Sequence, residues 1–167
     1  PALYDQSVLL EQSIGLNSGW QDARGACGGT SAVKDFYAAP TEGLPAPRLS
    51  FVDIDEETFT QRVVLFDTGI SRAATRGLNV VLDVYLTRDR DRYPAIRASL
   101  AIHDEMVESL RHGDYSRLGQ LATRYWQLRC QLDPGATSEA LQVLFEDPEL
   151  ANLSEGGTLT GAGGGGF

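Results

Sequence analysis

The last ten residues, Thr158-Leu159-Thr160-Gly161-Ala162-Gly163-Gly164-Gly165-Gly166-Phe167, carry five glycines and exclude a regular helix or strand there. A glycine inside either element costs roughly 0.5–1 kcal/mol relative to alanine, so a run of them specifies a loop. Glycine removes every Cβ and opens positive φ, which leaves bare N–H groups that another molecule can approach closely. Such a backbone suits an anion, above all a phosphate or a phosphorylated sugar. The letters Gly161-x-Gly163-x-x-Gly166 also fit the dinucleotide fingerprint, but that motif needs a following helix and an acidic residue about 20 positions on. The sequence supplies neither, so the Rossmann reading fails. A flexible linker is the plain alternative, although a linker mixes serine into its glycines and is not bracketed by Leu159 and Phe167.

Ahead of this loop the pattern alternates between helical and extended. Leu3, Leu10 and Ile14, with Tyr4 and Val8, recur at helical spacing and predict a helix packed on one side. Asn17-Ser18-Gly19-Trp20-Gln21-Asp22 follows, with Gly25, Gly28 and Gly29 close behind. Glycine on both sides leaves Asp22 two readings: it caps a short helix, or it reaches a substrate hydroxyl. Leu49–Ile54 and Val63–Phe66 read as strands, the second apolar enough to be buried on both faces. Asp67-Thr68-Gly69-Ile70-Ser71-Arg72 is then a turn into a helix with Ala74, Leu78, Val81 and Tyr85 inward. Arg72 at that helix start conflicts with the dipole, so it either faces an anion or pairs with a carboxylate.

The remainder reads as helix. Ile96, Leu100, His103, Val107 and Leu110 form one seam that ends at Gly113, a C′ glycine, with His103 as a core residue. Asp114 or Ser116 opens the next helix, with Leu118, Leu121, Tyr125, Leu128 and Leu132 on one face, and the two predict an antiparallel hairpin. Trp126 and Cys130 fit packing. Asp133-Pro134-Gly135 is a tight turn, Thr137 an expected N-cap, and Leu141, Leu144 and Phe145 mark a short helix. A brief strand over Thr158–Thr160 is expected to lead into the glycine loop.

Composition narrows the function. A net charge of -9 disfavours general binding to nucleic acid or to an anionic membrane but permits one local anion site. No apolar run approaches the roughly 20 residues of a membrane span, and no signal peptide is visible. Cys27 and Cys130 make no disulfide framework or metal spacing, and two histidines draw no zinc site. A cytoplasmic globular protein is expected, and Pro1 as first residue fits an internal piece of a longer chain.

In combination, Trp20-Gln21-Asp22, Thr68-Gly69-Ile70-Ser71-Arg72, the helical hairpin with Tyr125-Trp126, Asp133-Pro134-Gly135 and the terminal glycine loop resemble the kinase superfamily of galactokinase, homoserine kinase, mevalonate kinase and phosphomevalonate kinase (GHMP kinases). Within it the chain looks like the C-terminal half of L-fucokinases, including those fused to a guanylyltransferase; heptose phosphate kinases share the Gln-Asp and Asp-Pro-Gly. The resemblance implies an α+β fold: the end of an N-terminal domain over residues 1–60 and a ferredoxin-like C-terminal domain over 61–167, truncated after the glycine loop. It implies an ATP- and Mg2+-dependent sugar kinase acting on the anomeric hydroxyl of L-fucose. Asp22 would be the catalytic carboxylate, Trp20, Gln21 and Arg72 would contact substrate, and Gly161, Ala162, Gly163, Gly164 and Gly165 would form the loop beside the nucleotide phosphates. No protein metal ligand is implied. The superfamily's N-terminal substrate motif and its central Pro-x-x-x-Gly-Leu-Gly-Ser-Ser-Ala phosphate loop are absent, so the resemblance is to a fragment, expected to be inactive alone. A non-catalytic sugar-binding relative is the alternative of a different class.

Overall fold

Local signals account for most elements of the computed structural model, which describes residues 3–15, 21, 25, 33–38, 47–70, 75–161 and 163–167. The chain divides into two units, Pro1–Phe59 and Thr60–Phe167. Among the described residues, helices dominate and the only sheet is a two-stranded antiparallel ribbon, an α+β combination.

The first unit holds α1 (Leu3–Ser13), β1 (Val33–Ala38) and β2 (Pro47–Val52). β1 and β2 pair in the register Val33↔Val52 to Ala38↔Pro47, and the Ser50 hydroxyl donates across the pair to Asp35 at 3.2 Å. The β2 segment meets the expected strand near residue 50. β1 was not foreseen, because Lys34 and Asp35 break the apolar alternation. The helix over α1 is as expected but its inward face is not: Leu3, Leu10 and Ile14 are all at least 65% exposed while Val8 is buried. Helical spacing fixes which residues share a face, and does not fix which face is covered.

The boundary between the units falls within α2 (Glu56–Arg62). The next four residues correct the expectation of a doubly buried strand. Val63–Phe66 form no strand, and Val64 is 84% exposed. Apolar, β-branched character makes a segment competent to pair; a strand also needs a neighbour for its N–H and C=O groups, and none of the described residues supplies one.

α3 (Thr75–Thr87), α4 (Tyr93–Arg111) and α5 (Tyr115–Leu132) follow. α3 buries Gly77 and Val84 and exposes Tyr85, so its covered face is shifted one residue from the one expected. α4 shows the same offset, covering Ala95, Ile102 and Ser109 in place of Ile96, His103 and Leu110. Ala95 and Ile102 meet Leu121 and Leu128 of α5, with Ala98, Met106 and Tyr125 packed around them. The reversal between these helices was legible in the sequence. Gly113 adopts φ +66°, its N–H donates to the Leu110 carbonyl and that of Asp114 to Ser109, the paired bonds of a Schellman motif. Asp114 then accepts from the Arg117 N–H at 2.9 Å, an N-cap contributing about 1 kcal/mol. Arg117 also reaches back to Glu105 of α4.

Between α3 and α4, Asp89 accepts the backbone N–H groups of Asp91 and Arg92 and the Arg92 side chain. The Arg92 side-chain bond holds the Asp89 carboxyl below its ordinary range. A lowered folded-state pKa means that this contact stabilises fully above the unfolded aspartate value of about 3.9 and is lost as pH falls through the lower folded value. In urea unfolding, Asp89→Asn is therefore expected to be less stable than the parent at pH 7, with the gap closing on acidification below about pH 4. A gap independent of pH would show that the charge is irrelevant.

Beyond α5, Asp133 accepts from the Gly135 N–H at 2.9 Å and opens a short 3-10 turn, Pro134–Ala136. Ser138, one residue after the expected Thr137, caps α6 (Glu139–Phe145). Ser138 holds an extended backbone with its hydroxyl toward the Leu141 N–H, the geometry an N-cap requires. An unforeseen α7 (Pro148–Leu153) begins at Asp147, whose carboxylate accepts from Glu149 and Leu150. The chain then returns along α5. Gly156 lies so close to it that a Cβ would stand 2.2 Å from the Gly119 oxygen, and the Gly157 N–H donates to the Thr123 hydroxyl at 3.1 Å.

Candidate functional site

The glycine loop rests on a second apolar cluster. Trp126, Ala136, Leu141 and Leu159 are buried together, with Ile70, Cys130 and Phe145 packed against them. The Trp126 and Phe145 rings stack 5.1 Å apart. Cys130 is a free thiol; burial, with a smaller contribution from Asp133 and against the pull of Arg129, pushes its pKa up. An inert packing cysteine has this environment. Leu159 anchors the entry to the loop, as its position before the glycines suggested. Thr158–Thr160 is not a strand. Thr160 instead closes the loop on itself, its N–H donating to the Phe167 carbonyl at 2.7 Å.

Two other stretches singled out in the sequence converge on this loop. The first is the Asp133-Pro134-Gly135 turn, which places fully buried Ala136 beneath Gly163: a Cβ on Gly163 would lie 3.2 Å from that of Ala136 and 3.5 Å from Trp126 Cζ3. The second is Asp67–Ile70. Gly166 donates its N–H to the Ile70 carbonyl at 2.8 Å, and its own carbonyl accepts the Thr68 N–H at 2.8 Å and the Thr68 hydroxyl at 2.7 Å. Gly165 has no room for a side chain, since a Cβ would stand 2.3 Å from the Ile70 oxygen. Gly161, Gly163, Gly164 and Gly166 all take positive φ.

This geometry yields a discriminating substitution pair. Gly165→Ala must displace either the loop or the Ile70 carbonyl that Gly166 is using, and is expected to lose about 2–4 kcal/mol from overpacking plus a broken hydrogen bond. Gly161→Ala meets no atom within 4 Å at φ +61° and should lose only the left-handed cost of about 1–2 kcal/mol. Equal urea midpoints for the two would contradict the close seating.

Of the residues named from the sequence, Gly161, Gly163, Gly164 and Gly165 are brought together in this wall. Gln21 is an exposed residue of the first unit. Asp22, Trp20, Arg72 and Ala162 lie outside the described residues. Sequence reasoning gave no role to Thr68 and Ala136, which seat the loop. The signal for Ala136 was a small residue directly after Asp-Pro-Gly, and for Thr68 a hydroxyl two residues before the turn ends. Chemically, the wall offers backbone donors. The N–H groups of Gly163, Gly164 and Gly165 donate to none of the described residues; Gly164 is buried, and Gly163 and Gly165 are half-buried. Among the described residues, no three His, Cys, Asp or Glu side chains are grouped to hold a metal ion, and no helix is long and apolar enough to cross a membrane.

No protein-family model and no solved structure matches the chain. It is 31% identical over 161 residues to a bifunctional fucokinase/GDP-fucose pyrophosphorylase of Arabidopsis thaliana. That alignment takes in 96% of the chain and 15% of the longer protein, so the chain spans about one seventh of the relative it matches. The likeness runs through both units and supports a fucokinase-related sequence.

Proposed function

We propose that this chain is part of an ATP-dependent sugar kinase that phosphorylates the anomeric hydroxyl of L-fucose to give fucose 1-phosphate. The carrying observation is the convergence on one loop of two further stretches from the resemblance, the Thr68–Ile70 turn and the Asp133–Ala136 turn. The 31% likeness to a protein named in part as a fucokinase supports the same reading. Phosphoryl transfer asks a protein chiefly for positioning and for donors on the nonbridging oxygens. Gly163, Gly164 and Gly165 would supply such donors, and Asp22 would accept the proton or hydrogen bond of the sugar hydroxyl. Trp20 would offer an aromatic face to the apolar side of a deoxyhexose, with Gln21 and Arg72 as polar contacts. ATP would supply the phosphoryl group, and Mg2+ would offset the charge on its phosphates.

The test is a coupled measurement of ADP release by the full-length protein. Release that depends on L-fucose, and exceeds that with a heptose phosphate, is expected. Absence of any fucose-dependent release overturns the reading, and preference for the heptose phosphate moves the chain to that neighbouring activity. Fucose binding by calorimetry without turnover would point to a non-catalytic relative. The matched relative's name covers two activities, and the choice of kinase over pyrophosphorylase rests on Asp22 and the glycine loop.

A further inference from the structure

The geometry points to Thr68 as the positioning residue of the glycine loop, a role that rests on the kinase reading above. Two threonines bracket the loop in different ways. Thr160 joins its entry to Phe167, with the N–H at 2.7 Å and the hydroxyl at 3.1 Å, and so closes a ring without fixing where the ring points. Thr68 ties that ring to a separate segment, 98 residues away in sequence.

The direction of the Thr68 hydroxyl is determined by its neighbours. Its oxygen accepts the Ile70 N–H at 3.3 Å, so its own hydrogen is committed to the Gly166 carbonyl at 2.7 Å. The turn that presents it is preformed: Asp67 accepts the Gly69 N–H at 2.9 Å and Gly69 takes φ +67°. Ile70 receives the Gly166 N–H, so one glycine is held on both its polar groups. The amides of Gly163, Gly164 and Gly165 are within three residues of that clamp. The Thr68 hydroxyl acts on the position of those amides through that clamp.

Thr68→Val in the full-length protein removes the hydroxyl and keeps the branched shape and the backbone N–H. Losing one half-buried hydrogen bond is expected to lower kcat about fivefold to tenfold, with KM for the sugar unchanged. Hydrogen exchange in the peptide covering residues 160–167, followed by mass spectrometry, should accelerate by a similar factor. Thr68→Ser restores the hydroxyl and should restore both readouts. The proposal is overturned if Thr68→Val leaves exchange unaltered, if exchange accelerates without a change in kcat, or if serine rescues neither. A wild-type protein that phosphorylates no sugar would remove the kinase reading by itself. The exchange rates would then decide the clamp alone, faster exchange with serine rescue supporting it and unaltered exchange overturning it.

Discussion

Trp126→Ala should unfold the second unit at markedly lower urea, with a loss of about 3–5 kcal/mol. Trp126 is buried among Ala136, Leu141 and Leu159 and stacks on Phe145. Its removal leaves a cavity ringed by a 3-10 turn, a short helix and the loop entry, none of which can collapse inward without breaking its own caps. The loss is a large share of the 5–15 kcal/mol that holds a typical domain together. Gly163 loses its aromatic floor as well, so the glycine loop should loosen along with the core. Val64→Ala is the matching control: at 84% exposure it should move the midpoint by no more than about 0.5 kcal/mol. A Trp126→Ala loss as small as that of Val64→Ala would mean that the second cluster contributes no packing.

Asp22→Asn should cut fucose-dependent turnover of the full-length protein about 10²- to 10⁴-fold, the range spanned by a positioned general base. Asparagine keeps the size and one acceptor oxygen but cannot take the hydroxyl proton, so sugar binding should survive while kcat falls. Undiminished turnover would sink the role of Asp22 and leave it the helix-capping alternative. Loss of pyrophosphorylase activity with kinase activity intact would assign the chain to the second activity named for its relative.

The sequence announced whatever depends on a few adjacent residues. Gly113 and Asp114 specify a helix stop and a helix start through their own backbone and side chain, and both appear as expected. Asp133-Pro134-Gly135 is equally self-contained. The seams of α3 and α4 were displaced by one residue because periodicity gives weight to large side chains such as Leu100, which is 64% exposed. The buried line runs instead through Ala95, Ile102 and Ser109, the first two packed against α5. Exposure of Leu3, Leu10, Ile14 and Val63–Phe66 is a nonlocal property and leaves no mark on their spacing. The candidate site divides in the same manner. Its glycines are legible because only glycine tolerates the approach of Ile70 and Ala136, whereas the seat itself joins residues far apart in sequence, and Thr68 looks like any turn threonine.

The link from Thr68 to Gly166 also sets an order of assembly. The α4–α5 hairpin closes over three residues and can form as soon as both helices exist, because local contacts ask for little loop-closure entropy. The clamp closes nearly the whole second unit and must wait until its final residues are available. A chain still emerging from the ribosome can therefore hold a formed hairpin while the glycine wall is still unseated. In partial unfolding the sequence reverses, and the wall is surrendered before the helices beneath it. Function in such a unit is a late and stringent reporter of complete folding.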